Sequence, residues 1–169
     1  TVTGSSCNGP SHTYGTYGLY TVVVSVTDKD GASATASTVH DVNFRFSGFF
    51  RPVRPLPAIN RVEAGRDIPM KFSLGGFRGT GVVSSAVSTP VTCGTTTPIG
   101  ADEPARQDGR LRFDDGQYVF VWDTSRRWEG QCRLFTLTTA DGELHRALFS
   151  FRDERGADDH DGRDDDRDR

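Results

Sequence analysis

The feature that most constrains this chain is a two-residue rhythm. In "RDIPMKFSLGG" (66–76) Ile68, Met70, Phe72 and Leu74 take alternate positions, with Pro69, Lys71 and Ser73 between them. Successive side chains of a β-strand point to opposite faces, so this spacing sets the apolar residues against a core and turns Lys71 to the other side. The rhythm returns in Tyr20, Val22, Val24 and Val26, in Tyr118, Phe120 and Trp122, and in Phe149 and Phe151. No stretch carries a sustained 3.6-residue apolar stripe with helix caps. Asp-Gly turns in "DKDG" (28–31), "FDDGQY" (113–118) and "TADGELH" (139–145) stand between such segments. Glycine accepts positive φ there, and aspartate can bond its own backbone. The chain therefore reads as all-β and built from antiparallel hairpins. Pro69 lacks an amide proton, which suits an edge strand or a strand start. The segment 77–110, dense in Ser, Thr, Gly and Pro, reads as a long loop or as short edge strands.

Lys71 is one of 2 lysines beside 18 arginines. A lone lysine in an apolar run suggests a Schiff-base amine or an isopeptide cross-link to Asn or Asp. The cross-link needs a buried amine, and the alternation assigns Lys71 to the solvent face.

Charge is unevenly spread. The segment 153–169 ("DERGADDHDGRDDDRDR") holds nine acids and four arginines, net −5, which leaves the rest of the chain at +2. The segment has no large aliphatic or aromatic residue with which to offset the cost of ordering and is expected to be disordered. Its "DDHDGRDDD" lacks the ligand spacing and terminal Glu of an EF-hand. A body at +2 has no electrostatic footprint for nucleic acid. No run approaches the roughly 20 apolar residues of a membrane-spanning helix. His12, His40, His145 and His160 show no ligand spacing, so no metal or other cofactor is expected.

There are three cysteines, Cys7, Cys93 and Cys132. A hydrophobic share of 34% is low for a compact globule. In an all-β chain so poor in core residues, Cys93 and Cys132 read best as a disulfide. A ring of about 40 residues stabilises by about 4 kcal/mol on the chain-entropy estimate. Cys7 is then odd, and its partner is expected in sequence upstream. A disulfide implies an oxidising, extracytoplasmic location.

Two resemblances follow from longer motifs. "HTYGTYGLYTVVVSVTDKDGASA" (12–34) resembles the C-terminal half of a PKD repeat, an Ig-like sandwich of extracellular proteins. The W-D-F-G-D-G segment of that repeat is absent. No signal segment follows Thr1 either, so the sequence reads as a processed or truncated piece. About 43–152 resembles the PxKF domain of secreted bacterial proteins. Pro69, Lys71 and Phe72 match its name motif, with "FSGFFRPV" (46–53), "FSLGG" (72–76), "YVFVWDTSRRWEGQCR" (118–133) and "DGELHRALFSF" (141–151) in family order. The resemblance implies an Ig-like antiparallel β-sandwich and a Cys93–Cys132 bridge, and it implies no activity. The expected organisation is a truncated PKD-like part (1–42), a PxKF-like domain (43–152) and a disordered tail (153–169).

Signatures of catalysis are missing: there is no G-x-S-x-G elbow, phosphate-cradling glycine loop, H-E-x-x-H or C-x-x-C. Asp114 and Asp115 with Glu129 could be imagined as a carboxylate pair for glycoside hydrolysis, but hairpin chemistry accounts for the two aspartates. His145, on a strand after a turn, suits a cross-strand polar contact. "RRWEG" joins Arg126 and Arg127 to Trp128, a combination enriched in protein contacts and able to stack on sugars. The competing reading packs Trp128 over the neighbouring disulfide. The function expected is a non-catalytic extracellular module, with protein or glycan partners at the cell surface. The runner-up is an accessory or carbohydrate-binding module of a secreted hydrolase.

Overall fold

The computed structural model describes residues 11–152; Cys7 and the Asp/Arg-rich segment 153–169 lie outside the described residues. Among the described residues there are eleven strands, one 3-10 turn and no α-helix. They fall into two units that divide between Phe44 and Arg45.

The first unit is a hairpin of β1 (Gly18–Thr27) and β2 (Ser33–Val42), paired from Gly18↔Val42 to Thr27↔Ser33. The "DKDG" turn closes it. The Asp28 carboxylate accepts from the amides of Asp30 at 2.9 Å and Ala32 at 2.8 Å, and Gly31 supplies φ 90°. Tyr14 packs on Tyr20 and His40 at one end. Val24 and Val26, which the alternation assigns to a core, are 57% and 64% exposed. With only two strands among the described residues, this unit supplies no second layer of its own for that face.

The second unit holds β3 (Ser47–Phe50), β4 (Ile59–Glu63), β5 (Ile68–Ser73), β6 (Val83–Val91), β7 (Glu103–Pro104), β8 (Arg112–Asp114), β9 (Gln117–Trp122), β10 (Cys132–Thr139) and β11 (Leu144–Arg152). One sheet runs β3-β5-β9-β8 and the other β4-β11-β10-β6-β7. All neighbours are antiparallel except β4 and β11. The inner faces meet through aromatic rings. Phe135 of β10 lies 4.9 Å from Trp122, 5.9 Å from Phe120 and 5.9 Å from Phe49, centroid to centroid. Phe149 lies 5.2 Å from Trp122. This is an all-β, predominantly antiparallel sandwich, with Ile68, Met70, Phe72 and Leu74 buried in its core.

Lys71 takes the outer face and is half-buried, in register with Val119 on one side and Phe50 on the other. β5 is nevertheless an inner strand. Pro69 is accommodated because the β3 register ends at Lys71, so only β9 pairs beside the proline. The strand-start reading of Pro69 holds and the edge-strand one does not.

The Asp-Gly stretches all close hairpins. Between Asp114 and Gln117 the two loop residues Asp115 and Gly116 have φ 47° and 74°, as a type I′ turn requires. The segment 77–110 is more ordered than a loop or short edges. Nine residues of it form β6, which pairs with β10 over most of its length. Its buried positions include Ser88 and Thr89, so a hydroxyl-rich composition hides a strand from hydrophobic pattern reading.

Candidate functional site

The motif "WDTSRRWEGQ" leaves the end of β9 and returns at β10. Its first half is tied down by buried Thr124, whose Oγ1 donates to the Arg66 carbonyl at 2.7 Å. Ser125 then caps the 3-10 turn Arg126–Trp128, its Oγ accepting from the Arg127 amide at 3.3 Å. At the far end the Gly130 amide donates to Phe151 O, and the Phe151 amide to Gln131 O, both at 2.9 Å. Gly65, at φ 80°, lets the Arg126 stem lie directly against the backbone; a Cβ there would overlap the Arg126 Cγ. The segment is therefore held at both ends and in its middle.

Trp128 faces inward and is 9% exposed. Its ring lies 5.6 Å from Trp122 and 5.5 Å from Phe151, and the Arg133 guanidinium sits 4.1 Å from its centroid. Arg133 alternates with Phe135 and Leu137 on the core face of β10, while Cys132 points to the opposite face. Trp128 is thus packed, as the competing reading has it, but against the aromatic core and not over the disulfide. At 9% exposure it offers a sugar or protein partner only the edge that reaches the cleft, whereas Arg126 and Arg127 are exposed.

Arg133 is 1% exposed and pairs with the half-exposed Glu103 of β7. Burial lowers the guanidinium below its ordinary value, and the Glu103 carboxylate works against that shift. The charge occupies a core position because it has a ring to lie on and a carboxylate to reach.

Beside this pair opens a cleft of about 500 Å³ lined by Glu103, Pro104, Arg106, Asp123, Thr124, Ser125, Arg126, Arg127 and Trp128. Its second wall is the chain following β7, which crosses from one sheet to the other. The Ala105 amide bonds Ala86 O, the Asp123 amide bonds Arg106 O and the Asp108 amide bonds Val121 O, each at 2.9 Å. Arg106, Arg126 and Arg127 are exposed at the cleft, and none makes an ion pair among the described residues. The structure thus joins Arg126 and Arg127 to Arg106, which the sequence does not flag. A charged residue at an inward phase, Arg133 before Phe135 and Leu137, is the signal that was available for the buried half of the site.

The other candidates separate. Cys93 and Cys132 are bonded, with Cα atoms 5.0 Å apart. Asp114 and Asp115 sit at one end of β9, and Glu129 follows its other end. The six residues of β9 span roughly 17–20 Å at strand rise, well beyond the roughly 5–9.5 Å of a glycosidase carboxylate pair. No group of three or more His, Cys, Asp or Glu side chains is placed to hold a metal among the described residues. No helix there is long and apolar enough to cross a membrane. No family model, curated protein or solved structure matches the chain.

His145 stacks on Phe46, with centroids 3.4 Å apart and rings within 5° of parallel, and its Nε2 lies 3.2 Å from Thr139 Oγ1. Burial lowers its pKa, while Asp141 and Glu143 partly oppose the shift. The folded state therefore takes up this proton less readily than the unfolded state. Its contribution to stability is complete above the ordinary histidine value of about 6.5. It is lost as pH falls from there toward the lowered folded value. Wild type is expected to lose thermal stability more steeply than His145→Gln between pH 7.5 and 5. Parallel Tm curves for the two proteins would remove His145 as the cause.

Proposed function

We propose that the chain is a non-catalytic extracellular module, a spacer, adhesion or display element of a secreted or cell-surface bacterial protein. The observation that carries this reading is the pinned 3-10 turn, which presents Arg126 and Arg127 at a cleft on a disulfide-linked sandwich. A bridge between β10 and the segment after β6 suits an oxidising compartment. The motif order of the PxKF-like part and the PKD-like hairpin support the extracellular assignment. Aspartates at the turns serve backbone geometry, and the conjectured carboxylate pair is too widely split for hydrolysis. The runner-up, an accessory or carbohydrate-binding module of a secreted hydrolase, draws its support from the polar character of the cleft.

The test uses the full chain immobilised against a panel of extracellular matrix proteins and glycans. Binding is expected to at least one member and to fall tenfold or more in Arg126→Gln/Arg127→Gln, which keeps the residue-126 Cγ against Gly65, with Tm unchanged. Turnover of peptide, ester or glycoside substrates by the purified chain would overturn the non-catalytic reading.

A further inference from the structure

We infer that the arginine-lined cleft binds a carboxylate-bearing glycan, with Arg106, Arg126 and Arg127 as its anion-binding residues. This deepens the proposed function and rests on the chain being a binding module. The charge balance is the first argument. Of the two acids lining the cleft, Glu103 is engaged by buried Arg133, so Asp123 alone stands against three arginines without ion-pair partners among the described residues. A guanidinium presents a rigid fork of N–H donors that fits a carboxylate with two parallel hydrogen bonds.

Preorganisation is the second argument. Arg126 and Arg127 stand on a turn fixed by Thr124, Ser125 and the Gly130–Phe151 pair, and the Arg126 stem is seated on Gly65. Arg106 belongs to the opposite wall, whose carbonyl is bonded to the Asp123 amide. Fixing the backbone that carries these side chains removes part of the ordering cost that otherwise erodes exposed ion pairs.

The class of ligand follows from what the cleft lacks. Protein hot spots centre on a desolvated aromatic or aliphatic anchor. Here the one aromatic residue of the cleft, Trp128, is turned into the core and covered by Arg133. A volume of about 500 Å³ lies within the roughly 300–1,000 Å³ of small-ligand sites. A polar opening of that size lined by three exposed arginines suits a hydrophilic acidic sugar better than a folded protein.

The full chain is titrated with trigalacturonate, with its methyl ester and with an Asp-rich peptide of equal charge, at 50 and 300 mM NaCl. The acid sugar is expected to bind, the ester at least tenfold more weakly, and the affinity to fall with salt. Arg126→Gln/Arg127→Gln and, separately, Arg106→Gln should each weaken binding about tenfold or more with Tm unchanged. Lys71→Gln should leave it unaltered. Equal affinity for acid and ester, or binding insensitive to all three arginines, overturns the proposal; so does a peptide that binds as tightly as the sugar. A protein captured in the panel above without trigalacturonate binding sinks this inference while leaving the module reading intact. Substrate turnover sinks that reading instead.

Discussion

Trp122→Ala is expected to destabilise the protein by about 3–5 kcal/mol, the range for removing a large aromatic side chain from a packed core. Trp122 is fully buried and joins more rings than a single layer could supply. It meets Phe135 and Phe149 of the opposite sheet, Phe151 near the end of β11, and Trp128 of the cleft turn. Truncation would leave a void between the sheets and take away the floor beneath Trp128, so the cleft should loosen along with the core. Against a typical total of about 5–15 kcal/mol, the loss is a large fraction of what holds a domain together. Trp122→Phe should cost less, because it keeps most of the ring contact and removes an indole N–H that has no hydrogen-bond partner among the described residues. Urea unfolding followed by circular dichroism reads both variants. A loss below about 1 kcal/mol for the alanine variant would show that the sheets do not meet at this ring.

How much of this was legible in the sequence depended on whether a residue's role was local. The alternation around Phe72 and Trp122 defined the inward faces, since strand geometry alone decides which side chains share a face. The Asp-Gly turns were readable for the same reason, and Asp115 with Gly116 adopts the conformation its hairpin needs. β6 escaped because "VSSAVSTPV" buries Ser88 and Thr89, and hydroxyl side chains acquire a core role only beside a particular partner strand. Trp128 lies near Arg127 in sequence, yet its direction depends on Arg133, Phe151 and Trp122, which the fold brings from three strands. Arg106 had no sequence signal at all. It reaches the cleft because the chain after β7 crosses between sheets, a topological fact that no local pattern encodes.

Removing the Cys93–Cys132 bridge is expected to cost about 4 kcal/mol, from the loop-closure entropy returned to the unfolded chain over a separation of 39 residues. The variant for this measurement is Cys93→Ala/Cys132→Ala. Cys132 is 4% exposed and clusters with Val91, Leu134 and Leu148, where a serine hydroxyl would bring its own burial penalty. Alanine keeps the site apolar, so the measured loss reports the bridge with only a small packing term. The closed ring contains β7, β8 and β9 and the 3-10 turn, and therefore Arg106, Arg126 and Arg127. Its release should consequently do more than lower the unfolding midpoint. The two walls of the cleft are then joined by hydrogen bonds and packing alone, so acidic-sugar affinity should fall as well, even at urea concentrations where the β-sheet signal is intact. A double variant that loses less than about 1 kcal/mol would mean that the unfolded chain is already compact across this loop, or that the bridge strains the folded state by nearly as much as it constrains the unfolded one. Retained sugar affinity together with a full 4 kcal/mol loss would separate the two roles: the bridge would then stabilise the sandwich, and the Thr124, Ser125 and Gly130 hydrogen bonds would hold the cleft without it.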